Sequence, residues 1–413
     1  MSPAFRMAMA LGLACGTLWA DPGPVPEITL YQAEREALGR NARLTALASV
    51  RDAMKERPQQ AAGFPNPMAT YRGMDATDRG KFPDTGEKRF EIEQSLPGYG
   101  KRALREETAL KDVAVAELEL SVQMLEVVRM VREAGFELQA VQEAATIARE
   151  EEGLLDGMAK AVDARYVTGE ATQADMIRAG TEITLLKQRL SELDGRRKTL
   201  TARLMLLLNR NDDHPLERIV ACLVPGGPVP DVKLSVALAL AVRPEVRAAR
   251  LKTERGDLQR RLAARESRPD YRVGLEYRTL ERQDDMVMFM VGVELPIWQG
   301  KNHAAVREAS RLVSAGESDL ESVRRQVELE VQEACYRMET ARRSLELYER
   351  ELLPQAAVRV QSSEAGYRAG RGALSEWLES ERFQLDVRTR VAMARSELGI
   401  AWAALERAVG RGL

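Results

Sequence analysis

The sequence predicts a mainly α protein with a small β part, built as one unit written twice. Proline is absent from Gly98 to His214 and occurs once, at Pro354, from Ile297 to Leu413. Because proline breaks helix interiors, such spans point to very long helices. Within them the apolar residues keep a 3-4 rhythm: Ile183, Leu186, Leu190, Leu193, Leu200, Leu204 and Leu207 in the first span, interrupted only at Arg197, and Val327, Val331, Ala334, Met338, Ala341, Leu345, Tyr348 and Leu352 in the second. A sustained heptad implies a left-handed seam between neighbouring helices rather than burial in a globule. The third observation is an internal repeat with a spacing of roughly 200 residues, marked by landmarks that recur in the same order.

At the N-terminus, Arg6 precedes the apolar run Met7 to Ala14 and small residues up to Ala20, the layout of a secretory signal peptide. A lipidated Cys15 is the other reading, against which Gly12-Leu13-Ala14-Cys15 lacks the aliphatic residue expected three before the cysteine. The expected organisation is therefore 1–20 signal peptide, 21–210 first repeat, 211–231 linker and 232–413 second repeat, each repeat holding a helix, two strands and a long helical hairpin. The linker assignment follows from Asn209 to Asp231, which holds four prolines and two adjacent glycines.

The landmarks place the elements of each repeat. Leu38-Gly39-Arg40-Asn41-Ala42 resembles Leu240-Ala241-Val242-Arg243-Pro244, within the shorter helical segment. Tyr71-Arg72 resembles Tyr271-Arg272 or Tyr277-Arg278, at the strands. Leu96-Pro97-Gly98-Tyr99-Gly100-Lys101 answers to Leu295-Pro296-Ile297-Trp298-Gln299-Gly300-Lys301, a strand-to-helix junction where proline suits the entry and glycine relieves the bend. Trp298 and Tyr99 there fit either a membrane interface or core or equatorial packing. Lys101 to Arg165 and Lys301 to Gly366 would each reach roughly 100 Å as continuous helix. Tyr166-Val167-Thr168-Gly169 and Tyr367-Arg368-Ala369-Gly370 end these helices at matching turns.

The strands alternate. Tyr271, Val273, Leu275 and Tyr277 interleave with Arg272, Gly274, Glu276 and Arg278, and Phe90, Ile92 and Leu96 with Glu91, Glu93 and Ser95. One face is apolar and one polar, as a barrel wall between lipid and water requires. Met286 to Leu295 is long enough to cross the apolar layer as a tilted strand, and Asp75 to Glu87 and Thr279 to Asp285 read as polar extracellular loops. Beyond the signal there is no run of eighteen apolar residues, so any membrane span must be a β-barrel. Four strands cannot enclose a water-filled lumen, so the barrel must be shared between subunits.

With net charge −2, 45% hydrophobic and 30% charged residues, the chain has enough apolar surface for a sizeable core and too balanced a charge for a nucleic-acid partner. Cys222 and Cys335 lack metal-ligand or disulfide-framework spacing and read as structural, and His214 and His303 as loop residues. No nucleophile motif, phosphate loop or His-Glu metal set occurs, so neither an enzyme nor a cofactor or resident metal is expected. Met286, Met288 and Met290 point to one side of a strand; thioethers in that pattern can bind Cu(I), although methionine is more ordinarily apolar filler.

The duplication and its punctuation make the chain similar, over essentially all of the mature sequence, to the TolC-like outer-membrane factor family. The resemblance implies a homotrimer in which each subunit gives four strands to a shared twelve-stranded β-barrel, with the long helices continuing as an α-barrel across the periplasm. It implies a passive efflux duct in the outer membrane that works with a periplasmic adaptor and an inner-membrane pump. The compact length, the short loops and the Tyr-x-x-Gly tip resemble the heavy-metal efflux branch of the resistance-nodulation-division systems, with drug efflux and type I protein secretion as the other readings, so the expected cargo is metal ions or small toxic compounds. Tyr166, Gly169 and Gly370 fall at the adaptor-contacting hairpin tips. Tyr367 falls at the family's gate tyrosine, Glu376 and Glu379 at two pore-facing acidic positions, and Asp175 at another acidic gate position. Gly372 occupies the place of the family's gate arginine with Arg371 beside it. Residues three apart on a helix share a face, so three copies would bring six carboxylates of Glu376 and Glu379 around one constriction, a ring that favours cations. The bland reading is that Glu376, Glu379 and Glu381 merely solvate an exposed helix. A periplasmic coiled-coil adaptor without a barrel is the alternative function, because heptads alone fit it equally well.

Overall fold

The computed structural model describes residues 27–74, 87–169, 171–211, 218–220, 230–280 and 283–410. The signal segment, Cys15, Cys222, His214 and the polar connection 75–86 lie outside the described residues. Helix, strand pair, long helix and return helix follow one another twice. In the first round, β1 (Glu27–Thr29) leads into α1 (Leu30–Arg40), α2 (Ala42–Lys55) and α3 (Arg57–Ala62), then β2 (Met68–Met74), β3 (Glu87–Leu96), α4 (Lys101–Val167) and α5 (Gln173–Leu208). In the second, β4 (Arg218–Val220), which pairs in parallel with β1, precedes α6 (Val232–Val242), α7 (Pro244–Arg265), β5 (Asp270–Leu280), β6 (Gln283–Glu294), α8 (Gln299–Leu347), α9 (Leu353–Arg368) and α10 (Leu374–Val409).

The repeat is visible at the level of single caps. Asn41, at φ −60 and ψ 122, closes α1 and opens α2; its side chain accepts from Arg43 N and Leu44 N while donating to Leu207 O at 2.9 Å. Arg243, its counterpart between α6 and α7, has the same backbone geometry (φ −57, ψ 129). Its buried guanidinium pairs with Glu245 at 2.8 Å and Glu330 at 2.6 Å, so the pairing meets the cost of burying the charge.

The long helices exist as the proline pattern requires. α4 runs unbroken for 67 residues, roughly 100 Å. The second long stretch is not regular throughout: a single π-helical turn, Tyr348–Leu352, separates α8 from α9. Pro354 has no N–H for the helical ladder and its ring crowds the carbonyl four residues earlier, and a wide turn relieves both. Leu186, Leu193, Leu200 and Leu204 of the first heptad are buried against α4, as are Val327, Val331, Ala334, Met338 and Ala341 of the second in a core shared by α6, α7, α8 and α10. Cys335 is buried in that second core. Helices α4 and α10 cross closely at Gly399, where a Cβ would stand 2.6 Å from the Phe136 ring.

Two expectations are corrected. The segment Thr279 to Asp285 is not a free loop: β5 continues to Leu280 and β6 starts at Gln283, with a register shift between Arg278 and Leu280. Polar side chains do not end a ladder while backbone N–H and C=O groups still find partners. His303 lies near the start of α8 rather than in a turn, because a lone glycine such as Gly300 costs a helix only about 1 kcal/mol and does not stop it.

The four longer strands form one antiparallel sheet in the order β2-β3-β5-β6, so β2 and β6 are its free edges. Phe90, Ile92, Leu275, Val287, Phe289 and Val291 stand exposed on one face, Phe289 at 72%. The opposite face carries Glu87, Arg89, Glu91, Arg272, Glu276 and Arg278, linked by ion pairs such as Arg89–Glu87 at 2.8 Å and Arg272–Glu294 at 3.0 Å, with Arg278 also on Glu87. Apolar side chains outward and charges inward is the polarity of a barrel wall in lipid. No described helix is long and apolar enough to cross a membrane.

Sheet and helices are locked together at one junction. Gly100, at φ +84, turns the chain into α4, and the ammonium of buried Lys101 then donates to Asp270 at 2.9 Å and to the Arg268 carbonyl at 3.1 Å, with Glu266 at 3.1 Å. The first repeat is thus tied to the foot of β5 in the second. Tyr99 and Trp298, at 87% and 74% exposure, lie on the surface at these junctions, which excludes core packing for both.

Candidate gate at the hairpin tips

The tips form where the chain must reverse after a very long helix. Gly169 at φ +81 and Gly370 at φ +70 adopt the left-handed conformation that ends a helix without a Cβ clash. After the first tip, Thr172 and Asp175 make a reciprocal capping box that starts α5: Asp175 N donates to Thr172 Oγ1 at 3.2 Å, and Thr172 N to Asp175 Oδ2 at 3.1 Å. These bonds from Thr172 hold the Asp175 carboxyl below its usual range. After the second, Ala373 opens α10, which carries Glu376 in its first turn.

The site residues expected from sequence separate into two groups. Glu376, Glu379 and Arg371 are exposed on the surface of the tip, and Arg371 makes no ion pair with a described residue. Glu376 also borders a groove of about 510 Å³ between α9 and α10, with Pro354, Val358 and Arg359 on its other wall. Tyr166 is 43% exposed and Gly169 and Gly370 lie open to solvent. Tyr367 instead turns inward: the Arg165 guanidinium lies 4.6 Å above its ring, and the Trp377 ring lies 5.3 Å away between centroids.

Sequence reasoning singled out Tyr367 but missed Arg165 and Trp377, the partners through which it joins the two tips. Arg165 comes from the first hairpin and Tyr367 and Trp377 from the second, so their stack bridges the hairpins. Trp377 then donates its indole N–H to Glu381 at 3.1 Å. Glu381, placed among the solvating acids of α10, is in fact buried, and so is Glu151 on α4. Burial, and then the neighbouring Glu381 charge, push Glu151 up to about 7 against the pull of Arg388. Burial likewise raises Glu381, opposed by the indole hydrogen bond. The only sequence signal was Trp377 itself, one of four tryptophans, placed just after a tip. Two buried acids thus lie behind the aromatic clasp, with exposed acids in front of it.

A sheet that is apolar outside and charged inside, open at both edges and mounted on helices of this length, defines a channel-forming protein of the outer membrane. The family model described as outer membrane efflux protein matches residues 75–210 and 236–411, and the chain belongs to that family. It is the outer-membrane duct of a tripartite efflux system, and the adaptor reading is not favoured. The chain is 24% identical over 392 residues to the cobalt-zinc-cadmium resistance protein CzcC of Cupriavidus metallidurans, covering 93% of this chain and 90% of that protein. Its fold is similar to the Campylobacter jejuni CmeC outer membrane channel, with TM-score 0.79 and 14% identity, over 99% of this chain and 94% of that one. The outer membrane protein VceC from Vibrio cholerae gives TM-score 0.77 and 16% identity, over 93% of this chain and 96% of that one.

Proposed function

We propose that this duct works as a homotrimer that passes metal cations outward, gated at its hairpin tips, and that a periplasmic adaptor docks there to couple it to an inner-membrane pump. The observation that carries the cation reading is the pair of exposed carboxylates, Glu376 and Glu379, on one face of α10 just beyond the second tip. Threefold repetition of that face makes a ring that attracts cations and repels anions. The likeness to CzcC, named for cobalt, zinc and cadmium resistance, supports metal ions as the cargo. In this reading Tyr367 holds the closed tip inward, Asp175 shapes the start of α5, and Arg371 is free to meet an acid of a neighbouring copy. The mature protein then comprises the repeats 21–210 and 232–413 joined by 211–231, after removal of residues 1–20.

Planar-bilayer recording tests this. Glu376→Ala with Glu379→Ala is expected to lower cation-over-anion preference or raise conductance severalfold, in line with the loss of a charged constriction. Unchanged selectivity together with unchanged conductance would remove both residues from the gate.

A further inference from the structure

The sheet segregates its thioethers. On the charged face, the two central strands β3 and β5 present Glu87, Arg89, Glu91, Arg272, Glu276 and Arg278, whereas β6 presents Met286, Met288 and Met290 at three successive positions. Residues directly opposite in an antiparallel ladder share a face, and these methionines stand opposite Arg278, Glu276 and Gly274. They therefore line the lumen and not the lipid side, where apolar filler would be needed. The Met290 side chain lies across the wall: a Cβ on Gly274 would stand 3.2 Å from its methyl group. The other free edge, β2, places Met68 on the same face, opposite Glu93 and 59% exposed.

A second observation is independent of the methionines. Glu276, directly across from Met288, has a side chain only 6% exposed, and its Oε1 has no hydrogen-bond partner. Arg89 stands 3.8 Å from that oxygen but is engaged with Glu87 at 2.8 Å, and Arg278 also pairs with Glu87. A buried carboxylate oxygen left open beside neutral, polarisable sulfurs suits a soft monovalent cation: the carboxylate supplies charge and the thioethers select softness.

We propose that Met286, Met288 and Met290 of one copy, with Met68 of the next copy and Glu276 behind them, form a Cu(I)- or Ag(I)-binding track on the lumen side of each seam between subunits. Strand β6 runs antiparallel to β2, so the edge of one copy can close on the edge of the next and bring the two methionine-bearing strands together. Alternate residues on a strand lie about 7 Å apart. The three sulfurs are then successive weak stations, the arrangement that conduction needs, and they lead from the helix-linked end of β6 toward its outer end. Thioethers do not titrate, so the sulfur ligands stay available at acidic pH, unlike histidine or thiolate ligands.

This inference rests on the trimeric-duct reading, and the experiment separates the two. Ag(I) binding to the purified trimer in detergent, with Zn(II) as comparison, is measured at pH 7 and pH 5 for the parent protein, for Met286→Leu/Met288→Leu/Met290→Leu, and for Met68→Leu. All the proteins compared also carry Cys222→Ser and Cys335→Ser, because a thiol binds Ag(I) more tightly than a thioether and would mask the track. The expected result is at least a tenfold weaker Ag(I) affinity in the triple variant, a severalfold loss in Met68→Leu, unchanged Zn(II) binding, and Ag(I) binding in the parent protein that is retained at pH 5. Trimer migration and melting temperature report that the variants fold. Equal Ag(I) affinity and stoichiometry in the triple variant and the parent trimer, or no Ag(I) binding in either, overturns the track. The duct reading fails separately, if the unaltered trimer conducts no ions in bilayers.

Discussion

Trp377 donates its indole N–H to Glu381 at 3.1 Å across one turn of α10, and the same ring stacks on Tyr367. A single side chain thus connects the aromatic clasp at the tips with the buried acids behind it. Trp377→Phe keeps a ring for the stack but removes the donor, which should cost about 1 kcal/mol of stability. It should also raise the Glu381 pKa further, since the indole bond is what opposes burial there. Denaturant unfolding together with a titration of Glu381 checks both effects, and a pKa unmoved by the substitution would count against the indole bond.

The buried acids set a pH dependence with a definite sign. Glu151 is raised from 4.5 to about 7, so between those values the folded chain holds a proton that the unfolded chain has released. Stability is therefore greatest at the acidic end, falls as pH rises through this window and levels off above it. Melting temperature should drop between pH 5 and pH 8, and Glu151→Gln, which mimics the protonated acid, should flatten that part of the curve. The charged groups facing Glu151 are Glu381 and Arg388, the latter also paired with Glu150 at 2.6 Å. An unaltered slope in Glu151→Gln would assign the dependence elsewhere.

Gly399 is where α10 meets the Phe136 ring of α4. Gly399→Ala inserts a methyl 2.6 Å from ring carbons and should destabilise the helix pair by about 1–3 kcal/mol. Adding Phe136→Leu should recover part of that loss. A double variant no more stable than Gly399→Ala alone would show that the crowding lies elsewhere.

Lys101 sits almost wholly buried between Asp270, Glu266 and the Arg268 carbonyl. Lys101→Met fills similar space but strands Asp270 without its cation, at a cost of about 3 kcal/mol. Since the pair joins the helices to the sheet, the loss should appear as a lower fraction of detergent-stable trimer after heating.

Much of the fold was legible because it depends on periodic features. Proline placement gave the long helices, the 3-4 rhythm gave their buried seams, and alternation gave the two faces of the sheet. The end of β5 was misread because polarity was taken for a loop, whereas backbone pairing continued. The site was less legible. Glu376 and Glu379 could be placed beside a tip by matching motifs, but the clasp of Arg165, Tyr367 and Trp377 needs residues some 200 positions apart to meet, as the spacing of the repeat allows. Glu381 shows the limit plainly: in sequence it is one more acid on a charged helix, and only the packing of α4 against α10 removes it from water.

The wide turn at Tyr348–Leu352 has a consequence for how the second tip is aimed. Continuing the 3-4 count past Leu352 would put Gln355 and Arg359 on the seam, but the buried residues are Ala356 and Val360, each one place later. A π turn absorbs one extra residue, and one residue is about 100° of rotation. The orientation of Tyr367 toward Arg165 is therefore indexed by a single amino acid far up the rod, and a one-residue deletion there would swing the end of the second hairpin out of alignment while leaving every residue of the tip itself unchanged.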